Sequence, residues 1–184
     1  MTRIYRGTVI VIAVAAVGVG AFFVGRVTAP TSASVPTACQ ASQLHVDESG
    51  TAGAAGTIER TFSLVNTGST TCTLHGYPGM LLLGPGTSTQ PTTVTHGGGL
   101  PFENVGPSTV MLEAGAAAYF NVGYSDVMPP CSTATAVAVT PPASSGHVVV
   151  SVSPTMMVCD GGKLHVSAVF GSTDATATKT TAPS

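Results

Sequence analysis

From residue 39 to residue 170 no stretch of this chain runs long enough on one pattern to make a helix with an apolar stripe. Short runs rich in β-branched and aromatic residues are cut every few positions by Gly, Pro, Asn or Ser. "SQLHVDE" alternates Leu44 and Val46 with polar residues, and "TIERTFSLV" puts Ile58, Phe62 and Leu64 on one face. Arg60 falls on that same face and must reach an edge or a partner, because an unpaired buried charge is costly. Asn66 to Ser69 is turn chemistry, "CTL" resumes a strand, and Gly76-Tyr77-Pro78-Gly79 turns again. "MLLL" is a continuous apolar run, as for a strand covered on both faces, and Gly84-Pro85-Gly86 closes it. Further strands are read at "TTVTH", "STVML", "AAYFNVGY", "TAVAVT", "HVVVSV" and "LHVSAVF". Segments this short with turn signals between them make an all-β sandwich or barrel. Composition agrees: Lys, Glu, Gln and Arg are scarce, and 8% of residues are charged, against about 25% in an average domain.

The first segment is of another kind. Gly7 to Gly25 is an uncharged run of 19 residues. As a helix it would span about 28 Å at about 1.5 Å per residue, close to a bilayer core of about 30 Å. Arg3 and Arg6 precede it and favour an N-inside orientation, which Arg26 on the far side weakens without reversing. A cleaved signal peptide is the competing reading. Its apolar region is usually shorter, and Val27-Thr28-Ala29 is followed by Pro30, although Ser32-Ala33-Ser34 offers a cleavage site. A lipoprotein acylated on Cys39 is a third, weakened by Pro36 where a lipobox wants an aliphatic residue. The reading adopted is residues 1–26 as a transmembrane signal-anchor and the lipid bilayer as the first partner. A Pro/Ser/Thr/Ala linker at 27–38, a β domain at 39–170 and a disordered tail at 171–184 follow. The expected location is the cell membrane, single-pass, with the domain outside the cytoplasm, or secretion if the segment is cleaved.

Cys39, Cys72, Cys131 and Cys159 all lie beyond that segment. An even count in an exported chain reads as two disulfides. Of three connectivities the local pairs Cys39–Cys72 and Cys131–Cys159 are favoured. Zinc or redox use would want C-x-x-C spacing, which is absent. No Asn-x-Ser/Thr acceptor occurs either, since Asn66, Asn104 and Asn121 are each followed two residues on by Gly.

The stretch "FSLVNTGSTTCTLHGYPGM" (Phe62 to Met80) carries an apolar strand, then Asn-Thr-Gly, then Cys-x-Leu-x-Gly-Tyr-Pro-Gly. In this it resembles the DUF4232 family, exported actinobacterial domains of unknown function. "VMLEAGAAAYFNVGY" (Val110 to Tyr124), the opening "CQASQLHV" (Cys39 to Val46) and Cys131 with "AVAVTPP" continue the likeness over about residues 39 to 170. The resemblance implies an extracytoplasmic β-sandwich with disulfides, held by a lipid, a signal peptide or a membrane helix, and no catalytic residues. The N-terminus departs from it, resembling a helix anchor where many relatives have a lipobox. The fold expected is all-β: an immunoglobulin-like β-sandwich with two disulfides behind a single N-terminal transmembrane helix.

Chemistry-bearing patterns are thin. Beyond Arg26 three basic side chains (Arg60, Lys163, Lys179) face eight acidic ones, a net charge of −5, so the basic cluster that nucleic acid requires is missing. The nucleophile-elbow pattern G-x-S-x-G is absent, and a triad from Asp126 and the histidines cannot be read from order alone. Glu103 and Glu113, the best carboxylate pair, each sit beside turn residues and read as solvated charges. For a metal the candidates are His45, His75, His96, His147 and His165 with Met80, Met111, Met128, Met156 and Met157, a donor set suited to copper. No H-x-M or M-x-x-M spacing organises them, and Met156 and Met157 on one strand would point to opposite faces. "HGGGLPF" (His96 to Phe102) lacks the Lys-Ser/Thr of a phosphate loop. A sugar platform would rest on Tyr77, Tyr119, Tyr124 and Phe102 without any Trp. Tyr77 reads better as a corner tyrosine whose hydroxyl bonds to the backbone. The function expected is a non-enzymatic envelope module without cofactor or metal, its partner an envelope protein or polysaccharide and its binding residues not identified. Copper binding through His and Met is the alternative, and a cell-envelope hydrolase a weaker one.

Overall fold

The computed structural model describes residues 35–97 and 106–172. The anchor, most of the linker, Phe102, Glu103 and the tail after residue 172 lie outside the described residues. Among those described no helix is long and apolar enough to cross a membrane.

Eleven strands carry the described chain: β1 (Leu44–Ala54), β2 (Thr57–Asn66), β3 (Cys72–His75), β4 (Gly79–Leu83), β5 (Thr93–His96), β6 (Thr109–Leu112), β7 (Ala117–Ser125), β8 (Ser132–Thr140), β9 (Val148–Val158), β10 (Lys163–Val166) and β11 (Phe170–Gly171). The fold is all-β and sandwich-like. One sheet has the order β1-β2-β7-β10-β5, with β11 also on β7; a second is β4-β8-β9, and β3 pairs with β6. Every pairing is antiparallel except β10 with β5.

Alternation explains which side chains meet between the sheets. Phe62 and Leu64 on β2, Phe120 and Val122 on β7, Leu82 on β4, Val137 and Val139 on β8, and Val158 on β9 are fully buried in one cluster. Phe62 and Phe120 are direct cross-strand partners, stacked with ring centroids 5.4 Å apart. Such a pair adds about 0.5–1.5 kcal/mol beyond its area.

Arg60 sits in this apolar layer at 2% exposure. Its Nη1 donates to both oxygens of Glu48 at 2.8 Å, its Nε to the Tyr124 hydroxyl at 3.2 Å and its Nη2 to the Pro154 carbonyl at 2.7 Å. The guanidinium thus has the partner its place on the buried face demanded, and it ties β2 to β9 across the sandwich. Burial raises the Tyr124 phenol above its ordinary pKa, against the lowering effect of Arg60. Asn66, fully buried, works similarly at the other end of β2. Its Nδ2 donates to the carbonyls of Thr70 and Leu112, and its Oδ1 accepts from the Gly68 amide.

Several elements differ from the sequence reading: "LHVSAVF", read as one strand, is split into β10 and β11, and the strand read at "HVVVSV" continues through Pro154 to Val158. β1 runs on through Ser49 to Ala54, past a bulge between Glu48 and Gly50, and returns as β2 through a two-residue turn. Ala55 and Gly56 both have positive φ (53° and 82°), the conformation a tight hairpin with the native strand twist requires. On β4, Met80 and Leu82 face the core and Leu83 is covered, but Leu81 is 37% exposed. "MLLL" is therefore not covered along its whole length.

Leu44 pairs with Asn66 at one end of the β1–β2 hairpin and Ala54 with Thr57 at the other, roughly 30 Å apart at about 3.3 Å per residue. Chain entry and exit share the first end: Ala38 bridges to Thr73 beside Cys72, and Gly171 pairs with Ala118. The two disulfides lie at opposite ends. Cys39–Cys72 closes the end where the chain enters, and Cys131–Cys159 the far end, where the Cys159 amide donates to the Ser125 carbonyl.

Candidate functional site

At the far end, β2, β7 and β10 present a polar outer face. Residues directly opposite in a sheet share a face, and the registers align Glu59 on β2, Gly123 on β7 and His165 on β10 in one row. Gly123 has no side chain, so the carboxylate and the imidazole stand on either side of a gap two strand spacings wide, roughly 10 Å. No ion pair joins them among the described residues. At the same end a cleft of about 230 Å³ opens, lined by Thr57, Tyr124, Ser125, Met128, Asp160, Lys163 and His165 but not by Glu59. Lys163 Nζ lies 3.6 Å from Asp160 Oδ2, an exposed and weak pair.

Two polar atoms here are buried with no hydrogen-bond partner among the described residues: Nδ1 of His165 and Oδ1 of Asp126, the residue after Ser125. Native folds leave few such groups, and each costs about 1–3 kcal/mol when unpaired. Glu59 is partly desolvated, and that burial raises its carboxyl above the usual glutamate pKa. Hydroxyls, one ammonium, carboxylates and an imidazole with a free buried nitrogen together suit a polar ligand that both donates and accepts.

The residues singled out in the sequence fall elsewhere for the most part. His45 pairs with Asp47 at 2.8 Å on exposed β1, and His75 shares a hydrogen bond with the Thr109 hydroxyl at 3.3 Å. His96 stacks on Tyr77 with centroids 4.8 Å apart and planes 5° apart. Tyr77 is thus held by this ring contact, and no hydrogen bond from its hydroxyl is present among the described residues. Met80 and Met156 are core side chains, while Met111, Met128 and Met157 are exposed. Met156 and Met157 do point to opposite faces, at 0% and 49% exposure. No three His, Cys, Asp or Glu side chains converge as metal ligands among the described residues. Asp126 bonds to no histidine, and Glu113 lies in the turn whose carbonyl takes the Ala116 amide.

Sequence reasoning missed Glu59, Thr57, Ser125 and Lys163 as site residues. No local motif marks them; they meet through register, and the interior Gly123 in "YFNVGY" was the one available signal, since glycine inside a strand often marks a close approach.

The profile of the family described as domain of unknown function (DUF4232) matches residues 39–169, the span from the first cysteine to the end of the core. The chain belongs to this family. The DUF4232 match takes in both disulfides, the Asn66 turn, the Gly76–Gly79 turn and the cleft at the far end. No curated protein and no solved structure matches the chain.

Proposed function

We propose that this DUF4232 chain is a membrane-anchored, extracytoplasmic binding module without catalytic activity, an immunoglobulin-like β-sandwich that meets an envelope protein or polysaccharide at its far end. The observation that carries the reading is polarity of the domain itself. Within the domain, the chain enters and leaves at one end, while the cleft, with the unpaired Nδ1 of His165 in its lining, lies at the other. Both disulfides, with no free cysteine in the chain, support an oxidising compartment.

The test uses the full chain in cells. A photoreactive side chain in place of Met128 at the cleft is expected to capture an envelope component, and His165→Ala to reduce that capture at least about tenfold, the loss of a good anchoring contact. The same group in place of Val35, at the chain-entry end, should capture none of it. Equal capture from both positions, or a C-terminal topology reporter reading cytosolic, would overturn the proposal.

A further inference from the structure

The two disulfides differ in what a reagent outside the protein can reach. Cys39 and Cys72 are 0% and 1% exposed and belong to the main apolar cluster between the sheets. Cys159 is equally buried, but its partner Cys131 is exposed. The settings differ too. Cys39–Cys72 fastens the entering segment, which otherwise meets β3 only through the short bridge of Ala38 to Thr73. Cys131 and Cys159 are the next step of the β8–β9 ladder beyond the pair Ser132 and Val158. Opening that bond leaves the two strands joined by their own register, as far as Val139 with Val148.

The Cys131–Cys159 bond also pins a loop. Residues 126–130 run from the end of β7 to Cys131, and the turn at 160–162 begins at Cys159. The Cys159 amide donates to the Ser125 carbonyl, the Asp160 amide to the Met128 carbonyl and the Gly161 amide to the Pro130 carbonyl. All three bonds join the same two segments that the disulfide joins. Val127 and Met128 in that loop are 62% and 53% exposed, so hydrogen bonds and the sulfur bridge hold it more than side-chain burial does. Disulfide exchange requires an attacking thiolate to reach one sulfur while the other departs, so access decides which bond reacts and at which sulfur.

We propose that Cys131 is a thiol-exchange site, where an external thiol opens the Cys131–Cys159 bond in the folded domain and frees the loop beside it. The incoming thiolate attacks Cys131 Sγ and forms a new S–S bond there. The electron pair of the broken bond leaves on Cys159 Sγ, which takes up a proton from water. A second external thiolate then attacks the donor sulfur of the mixed disulfide and releases the Cys131 thiolate. Two donor thiols are thereby oxidised to one disulfide as Cys131 and Cys159 are reduced. Burial of Cys159 directs the first attack to Cys131. The inference depends neither on the anchor nor on a partner at the cleft.

The test incubates the full oxidised chain, in detergent, with graded mixtures of reduced and oxidised glutathione, and in parallel with a thioredoxin-type dithiol protein. Alkylation and peptide mass spectrometry then report each cysteine. Cys131–Cys159 is expected to open at a thiol concentration at least about tenfold below that which opens Cys39–Cys72, with trapped glutathione on Cys131. The arm that opens it at the lower concentration tells a small thiol from a protein dithiol as the donor. Melts at the same concentration should show a domain still folded. Hydrogen exchange should quicken at the Asp160 and Gly161 amides and stay unchanged in the β2–β7 ladder. Both disulfides opening together, opening only on unfolding, or glutathione trapped on Cys159 would overturn the proposal. So would Asp160 and Gly161 exchange that is indifferent to the bond.

Discussion

Arg60 and Glu59 are neighbours in sequence with opposite fates, and each yields a prediction. Arg60→Leu leaves the Glu48 carboxylate without its cation and should cost about 3–5 kcal/mol, while Arg60→Leu with Glu48→Leu should recover much of the loss, as for other buried pairs. Urea unfolding of the oxidised protein measures both. Glu59 behaves in reverse. Burial raises its folded pKa above the unfolded value of about 4.5, so the folded state holds its proton more tightly. Its contribution to stability therefore falls as pH rises from about 4.5 through the raised value, and stays low above it. Glu59→Gln should remove that fall, matching the wild type in acid and exceeding it at neutral pH in pH-dependent melts. That Arg60 needed a partner was legible, because strand alternation placed a charge on an apolar face. That the partner is Glu48 was not, because the bulge at Ser49 shifts the pairing and no sequence rule locates a bulge. The site residues were illegible for the same reason: Glu59 and His165 stand far apart in the chain, and two strand registers bring them to Gly123.

Among the elements, short runs of alternating character announced their strands wherever a β-branched or aromatic core face was present, as in β2, β7 and β8. Prediction weakened where small polar residues extend a strand. The second half of β1 carries Gly50 and Gly53, residues depleted in strands, and is held by pairing to β2 more than by its own preference. β9 passes through Pro154, tolerable because β9 is an edge strand whose proline owes the ladder no amide. The core pair joins β2 to β7, so Phe62→Ala should destabilise by about 3–5 kcal/mol, read by denaturant melts. The disulfides close loops of 33 and 28 residues, and replacing either cysteine pair by serine should cost about 3–4 kcal/mol in the chain-entropy model. Non-reducing urea titration of Cys39→Ser/Cys72→Ser against Cys131→Ser/Cys159→Ser would compare the two ends directly.

For the whole molecule, charged side chains are unevenly shared among the sheets: β4, β8 and β9 contain no Asp, Glu, Lys or Arg, and neither do β3 and β6. The acidic balance was plain in the composition, but its distribution over the strands was not, because it depends on which strands share a sheet. The shared exit of the two chain ends has a mechanical side as well. A tug on the incoming segment meets Cys39 almost at once, and its covalent link to Cys72 stops β1 from peeling away. A tug on the outgoing segment can strip β11 and then β10 before it is arrested at Cys159. The domain is therefore stiff when hauled from its front and yielding when hauled from its back, with the far end undisturbed by the first.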